Sequence, residues 1–219
     1  MMLEEAKWLA ERLAALPDGD LFPLLNVGSG SLAFRRDEQS YIDKHVFAPL
    51  RARGGSVTHL DLQAGEGVDV VGDMTGPAVA ADLSARGFRT VICSNLLEHV
   101  TDRPAVCRAL LRVTPSGGRL FVSVPLANPR HLYPIDNLFR PTPEELAACF
   151  PHTEVVDAAV ITEPETCGRM LLRRPRDLVL WLARCAVPFY RHDRWVAALG
   201  HWRWLGKHRS TSCILLRKP

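Results

Sequence analysis

The chain has 219 residues, 47% of them hydrophobic and 23% charged, with 27 Lys and Arg against 24 Asp and Glu. That suits one sizeable core and excludes a disordered or fibrous protein. The formal net charge of +3 joins unlike parts: residues 169–219 hold twelve Lys and Arg against Asp177 and Asp193 and carry +10, whereas residues 1–168 carry −7. The six cysteines form no C-x-x-C pair, which excludes a zinc ribbon or a thioredoxin-like motif. The longest apolar stretch, 178–183, falls far short of the ~20 residues of a spanning helix, and the acidic Met-Met-Leu-Glu-Glu start is unlike a secretory leader. A cytoplasmic protein with reduced thiols is expected.

Residues 3–16 place Ala6, Leu9, Ala10 and Leu13 on one helical face, which Pro17-Asp18-Gly19 should close. Apolar runs then recur at 24–27, 57–60, 68–71, 90–93, 119–124, 155–160 and 212–216, separated by helix-length segments. Such runs suit parallel strands buried on both faces, so the expected class is α/β with an open, mostly parallel sheet. Two connecting helices are well marked. Val106, Ala109, Leu110 and Val113 follow Asp102 and Pro104 at helical spacing, and Pro115-Ser116-Gly117-Gly118 stops them. Thr142-Pro143-Glu144-Glu145 is a capping box with proline at the first helical position. The expected division is a core over 1–162, a basic Trp-rich helical insertion over 163–210 and a final core strand over 211–219.

Polar residues gather at the ends of these runs, the edge where open α/β sheets take ligands. Asn26-Val27-Gly28-Ser29-Gly30-Ser31 follows the first run; its glycines let the backbone approach a ligand, although such turns are also common in loops. Asp61 closes the second run, either as a ribose-binding carboxylate or as a solvated acid. Asp73 and Met74 close the third and suit a purine amino group and ring; the alternative for Asp73 is a helix N-cap. Ser94, Asn95, Glu98 and His99 end the fourth, where they would line an acceptor cleft. His99 reads equally as the anchor of its loop, and Glu98 and His99 form no obvious dyad. The fifth run opens into a long, proline-stiffened loop over 126–141, in which His131, Tyr133 and Asp136 are substrate-facing candidates or parts of a loop held down by its aromatics. His131 is the best candidate proton acceptor by its resting pKa.

Together these residues resemble a class I S-adenosylmethionine-dependent methyltransferase over about residues 24–150. The resemblance rests on Asn-Val-Gly-Ser-Gly-Ser (26–31), Leu-Asp-Leu (60–62), Val-Gly-Asp-Met (71–74), Ser-Asn-Leu-Leu-Glu-His-Val (94–100) and the Pro-x-Gly-Gly lead into the next strand (112–120). The loop over 133–146 resembles a subgroup associated with glycan and cell-surface biosynthesis. The resemblance implies a Rossmann-like doubly wound sheet of about seven strands whose final strand is antiparallel. It also implies that Gly28, Ser29 and Gly30 contact the methionine part, Asp61 the ribose, and Asp73 with Met74 the adenine, with Asn26, Ser94 and Asn95 completing the cofactor set. His131, His99 and Asp136 become the catalytic candidates, and Tyr133 and Arg140 the acceptor-binding ones. The implied reaction is metal-independent methyl transfer to a small-molecule, glycan or lipid-linked acceptor, at a hydroxyl oxygen. Two departures stand out: Asn26 where an acid is usual, and Ser31 at the third glycine position. The long spacer before the second run suggests an extra cap over the site at 35–41.

Gly28, Gly30 and Ala33 also satisfy G-x-G-x-x-A, which makes a nicotinamide-binding oxidoreductase the rival enzyme. Asp61 lies too far along for that motif, where about 20 residues is usual. A non-catalytic cofactor-binding or scaffold protein is the rival of another class, hinted at by Asn26 and Ser31. In the tail, 178–186 and 195–205 are expected helices, and four of the five tryptophans lie there. Aromatics beside arginines suit an anionic membrane surface, with peripheral location at the inner membrane face; packing on the core or self-association through 169–209 is the alternative. No nucleic acid is expected, because no binding module accompanies the basic residues.

Overall fold

The computed structural model describes residues 1–130, 135–187 and 192–219. Helix α1 (Leu3–Ala14) buries Ala6, Trp8, Leu9 and Leu13. It stops at Ala14 rather than Leu16, because Pro17 caps a separate short helix, α2 (Asp18–Leu21).

Seven strands form one sheet: β1 (Leu24–Val27), β2 (Val57–Asp61), β3 (Val70–Val71), β4 (Thr90–Ser94), β5 (Arg119–Ala127), β6 (Glu154–Thr166) and β7 (His208–Arg217). Their order is β3-β2-β1-β4-β5-β7-β6. The first five strands pair in parallel, and β7 runs antiparallel between β5 and β6. Each apolar run expected to be a strand is one, and the antiparallel strand is the last. Since β7 opposes both neighbours, β6 runs in the sense of β1. The carboxyl ends of β1, β2, β4, β5 and β6 therefore share one edge of the sheet.

The central strands β1, β4, β5 and β7 are buried on both faces because both are covered. The edge strand β6 instead exposes Val155, Val156 and Val160, contrary to the burial expected of its apolar run. On one face, Val27, Val91, Val122 and Ile214 pack with Leu83 of α5 (Pro77–Ala85), Leu110 of α6 (Arg103–Val113) and Leu146 of α7 (Pro143–Ala147). On the other, Leu24, Ile92, Phe121 and Leu215 meet Leu9 and Leu13 of α1 and Val46, Phe47 and Leu50. The last three belong to a helical layer over 34–52, in which π-helical turns at Phe34–Glu38 and Asp43–Phe47 flank α3 (Ser40–Ile42) and lead into α4 (Ala48–Ala52). The cap expected at 35–41 is part of this layer, with Arg35 buried beneath it.

The expected caps are present. Asp102 Oδ1 accepts from Ala105 N at 2.9 Å, and Thr142 and Glu145 exchange the two bonds of a capping box at 2.8 and 3.3 Å. Between β6 and β7 lie α8 (Cys167–Leu172), α9 (Pro175–Ala186), α10 (His192–Gly200) and a 3-10 turn, His201–Trp204. Because β6 continues to Thr166 and β7 starts at His208, these helices span less than the 163–210 read from sequence.

One charge is buried where α1 meets the strand ends. Glu5 is 1% exposed; its Oε2 accepts from Met2 N at 2.9 Å, and its Oε1 accepts from Asn95 Nδ2 at 2.8 Å and Ser123 Oγ at 2.6 Å. Glu5→Ala removes a charged acceptor and strands the three donors it serves, so it should cost about 3 kcal/mol of stability. Urea unfolding of the two proteins checks this; an unchanged midpoint would contradict the role assigned to Glu5.

Candidate functional site

The glycine turn leaves β1 at the carboxyl edge. Gly28 and Gly30 adopt φ of +67° and +61°, which an L side chain rarely takes. A Cβ on Gly30 would also stand 2.8 Å from the Phe34 ring. Ser31, at the third glycine position, keeps an ordinary backbone, and its Oγ accepts from Phe34 N at 3.1 Å. It therefore opens the following helical segment as a cap.

Asp61 binds the turn itself. Its Oδ2 accepts from Gly30 N at 2.8 Å and its Oδ1 from Gln63 N at 3.0 Å. Arg35, 2% exposed, completes the support: its guanidinium donates to Ser29 O (3.1 Å), Gly30 O (2.6 Å) and Gly67 O (2.7 Å). Burial lowers the Arg35 pKa, opposed by the charges of Asp43, Asp69 and Asp61. Asn26 turns its amide to His59, Nδ2 to Nδ1 at 3.1 Å. Burial pushes the His59 pKa down to about 4, with Arg35 adding to the shift, so the ring is neutral and free to accept that bond.

At β3, Asp73 is exposed and its Oδ1 accepts from Thr75 N and Oγ1, both at 2.8 Å, which shapes the turn ahead of α5. Met74 does not offer a ring platform. It is 4% exposed and packs in the core with Val27 and Leu60, because an unbranched thioether fills that gap.

The turn after β4 carries Ser94 and Asn95, both half-buried, with Asn95 at φ +50° and its amide on Glu5. His99 Nδ1 contacts Ile135 O, and Nε2 lies 3.7 Å from Glu98 Oε1. The ring thus anchors one loop on another, the alternative left open by the sequence. Asn137 reinforces this, donating from Nδ2 to Leu97 O and Val100 O, each at 2.9 Å. Asp136 is not displayed as a base. It is 6% exposed, with Oδ2 taken by Arg140 at 2.6 Å and Oδ1 by Leu138 N at 2.9 Å. Arg140, expected to meet an acceptor, is correspondingly committed to Asp136 and to Phe139 O. His131 and Tyr133 lie outside the described residues. Among the described residues no group of three or more His, Cys, Asp or Glu is placed to hold a metal ion.

Sequence reasoning passed over Glu5, His59 and Asn137, and it read Arg35 only as part of a cap over the site, whereas all four support the site from behind. Glu5 stands in a charged pair, Glu4-Glu5, that reads as solvated surface. The Pro-Ile-Asp-Asn turn was the available signal for Asn137.

The sheet order, with β7 inserted antiparallel between β5 and β6, is the fold of the class I S-adenosylmethionine-dependent methyltransferases and differs from the 3-2-1-4-5-6 order of nicotinamide-binding sheets. No family model matches the chain. It is 34% identical over 93 residues to the ubiquinone biosynthesis O-methyltransferase of Pseudomonas entomophila (strain L48), covering 37% of this chain and 40% of that protein. Identity to the protein of the same name from Pseudomonas fluorescens (strain Pf0-1) is 33% over 93 residues, with the same coverage. The match thus spans 40% of the length of these curated relatives. Among solved structures, coclaurine N-methyltransferase bound to N-methylheliamine and SAH superposes with a TM-score of 0.57 at 15% identity, over 98% of this chain and 72% of that one. A Bacillus halodurans C-125 protein assigned as a methyltransferase gives 0.52 at 13% identity, over 97% and 98%.

Glu98 is fully buried, and among the described residues neither carboxylate oxygen has a hydrogen-bond partner. Burial pushes its pKa from 4.5 up to about 7. The folded state holds a proton that the unfolded chain releases nearer 4.5, so this contribution to stability is full below that pH and lost as the pH rises through about 7. His59 acts oppositely: its contribution is full above 6.5 and lost as the pH falls through about 4. Glu98→Gln removes only the first effect. The variant should match the wild type near pH 4 and exceed it by roughly 2–4 kcal/mol at pH 8. Urea unfolding at both pH values checks this; a difference independent of pH would contradict a titrating Glu98.

Proposed function

We propose that the chain is an S-adenosylmethionine-dependent methyltransferase that methylates a small-molecule acceptor at a hydroxyl oxygen. The observation that carries the reading is the glycine turn of β1 held by the Asp61 carboxylate at the carboxyl edge of a methyltransferase-ordered sheet. The partial identity to O-methyltransferases supports oxygen as the nucleophile.

The donor set fits the cofactor. Gly28 is exposed, so its backbone is open to the methionine part, and Asp61 is half-buried. Each Asp61 oxygen keeps a lone pair beyond its backbone bond, enough to accept from two ribose hydroxyls. Asp73 is exposed at the next strand end, where it would receive the adenine amino group, and Ser94 and Asn95 line the edge at β4, on the other side of the glycine turn. When bound, the cofactor supplies an electrophilic methyl carbon on a sulfonium that leaves as a neutral thioether. The chain's part is then to hold the acceptor oxygen in line, exclude water and take the hydroxyl proton. In the segment that follows β5 in sequence, His131 is the proposed proton acceptor and Tyr133 the proposed acceptor-binding residue. His99, Asp136 and Arg140 hold the loop after β5 in place. A glycan or lipid-linked hydroxyl is the finer reading of the acceptor.

Calorimetry with S-adenosylhomocysteine tests the binding half. The wild type should bind, whereas Asp61→Ala and Gly30→Ala should each weaken binding at least about tenfold, roughly 1.4 kcal/mol. A wild type that does not bind would leave the non-catalytic scaffold reading. Radiolabelled methyl transfer to hydroxylated acceptors, water-soluble and lipid-linked, tests the chemistry. His131→Ala should lower kcat at least about tenfold while leaving the KM for the cofactor unchanged; an unchanged kcat would remove His131 from the reaction.

A further inference from the structure

The helices between β6 and β7 carry an apolar surface that the fold does not use. Helix α9 has two apolar stripes. The inner one, Leu178, Trp181 and Cys185, faces α10: Trp181 Nε1 donates to Ala198 O at 2.9 Å, Trp195 Nε1 donates to Cys185 O at 3.0 Å, and the Trp181 and Trp202 rings lie 4.7 Å apart. The outer one is Val179, Leu182, Ala183 and Ala186, at i, i+3, i+4 and i+7, the spacing of a single helical strip. Val179 is 64% exposed and Leu182 46%, and both alanines are exposed. Leu180 and Val187 widen the strip and are exposed as well.

The charge around this strip has one sign. Residues 169–187 hold five arginines and a single acid, Asp177. Arg173, Arg174, Arg176 and Arg184 are exposed, with Arg173 bridged to Glu165 at 2.7 Å and Arg174 to Asp177 at 3.8 Å. An apolar strip edged by arginines meets its complement in a surface that is negative outside and apolar within.

We propose that the outer face of α9 docks the protein on an anionic lipid bilayer. Among the described residues no helix is long and apolar enough to cross a membrane, so this is attachment at the interface. A two-fold pairing of this face with itself in a second copy would set arginines against arginines, which disfavours self-association as the occupant. The topology adds a consequence. Since β6 runs in the sense of β1, α8 to α10 emerge at the edge that carries the glycine turn and Asp61. The helices thus leave the sheet at the end that carries that edge; a link to a lipid-linked acceptor rests on the methyltransferase reading, but the docking itself does not.

Co-sedimentation of the full chain with vesicles tests it. Phosphatidylcholine vesicles containing phosphatidylglycerol should sediment at least about tenfold more protein at low salt than phosphatidylcholine alone, and high salt should abolish the difference. The double variant V179D/L182D changes two exposed positions and should lose vesicle binding while keeping the wild-type thermal melt and S-adenosylhomocysteine affinity. Equal sedimentation with and without anionic lipid, or a double variant that binds like the wild type, overturns the proposal. A wild type that dimerises through this face in solution, with vesicles making no difference, overturns it in favour of self-association. Cofactor calorimetry is run without lipid, so loss of the methyltransferase reading and loss of the docking surface register separately.

Discussion

A guanidinium can be buried only where its donors are met and its charge is balanced, and Arg35 is the group on which the candidate site depends. Its donors reach Ser29, Gly30 and Gly67, so one side chain ties the glycine turn after β1 to the loop between β2 and β3. Asp61 grips the same turn from β2 through Gly30 N. The turn is therefore fixed from a carboxylate on one strand and a cation in the helical layer, while its Gly28 backbone faces outward. A ligand at that edge meets an arrangement held in place before it arrives, so little ordering cost falls on binding.

The other half of the edge is organised in the same way around Glu5. Its carboxylate takes Asn95 from the end of β4 and Ser123 from β5, which fixes α1 against the strand ends and holds Asn95 at positive φ. The loop beyond β5 is pinned on the turn after β4 by His99 and Asn137, the Asp136–Arg140 pair holds the loop's own shape, and Arg103 lies over the Phe139 ring at 3.7 Å. Polar groups that look catalytic one at a time here hold two loops in register. The buried Glu98 sits under that junction, where burial raises its pKa.

The central strands were legible because burial on both faces writes an apolar run, and the Thr142 and Asp102 caps were legible because capping is local. The glycine turn was legible for the same reason. What the sequence hid was partnership across long separations. Nothing near Glu5 announces Asn95 or Ser123, and nothing near Asp61 announces that it first serves Gly30. Met74 misled because the property that suits a thioether to a nucleobase also suits it to an irregular core. Asp136 and Arg140 misled because acids and arginines on a long loop usually face solvent, and only the fold shows that they face each other.

Asn26 acquires a physical reason in this setting. Its amide donates to His59 Nδ1, which can accept only while the ring is neutral, and burial beside Arg35 keeps it so. A carboxylate at position 26 would favour the protonated ring instead, placing a second cation next to the buried guanidinium. Asp43, Asp69 and Asp61 already oppose the charge of Arg35, and a neutral amide–imidazole pair leaves that balance undisturbed. The departure at Asn26 is thus coupled to the arginine that holds the glycine turn. Restoring an acid at 26 alone would upset the support of the turn that the acid normally serves.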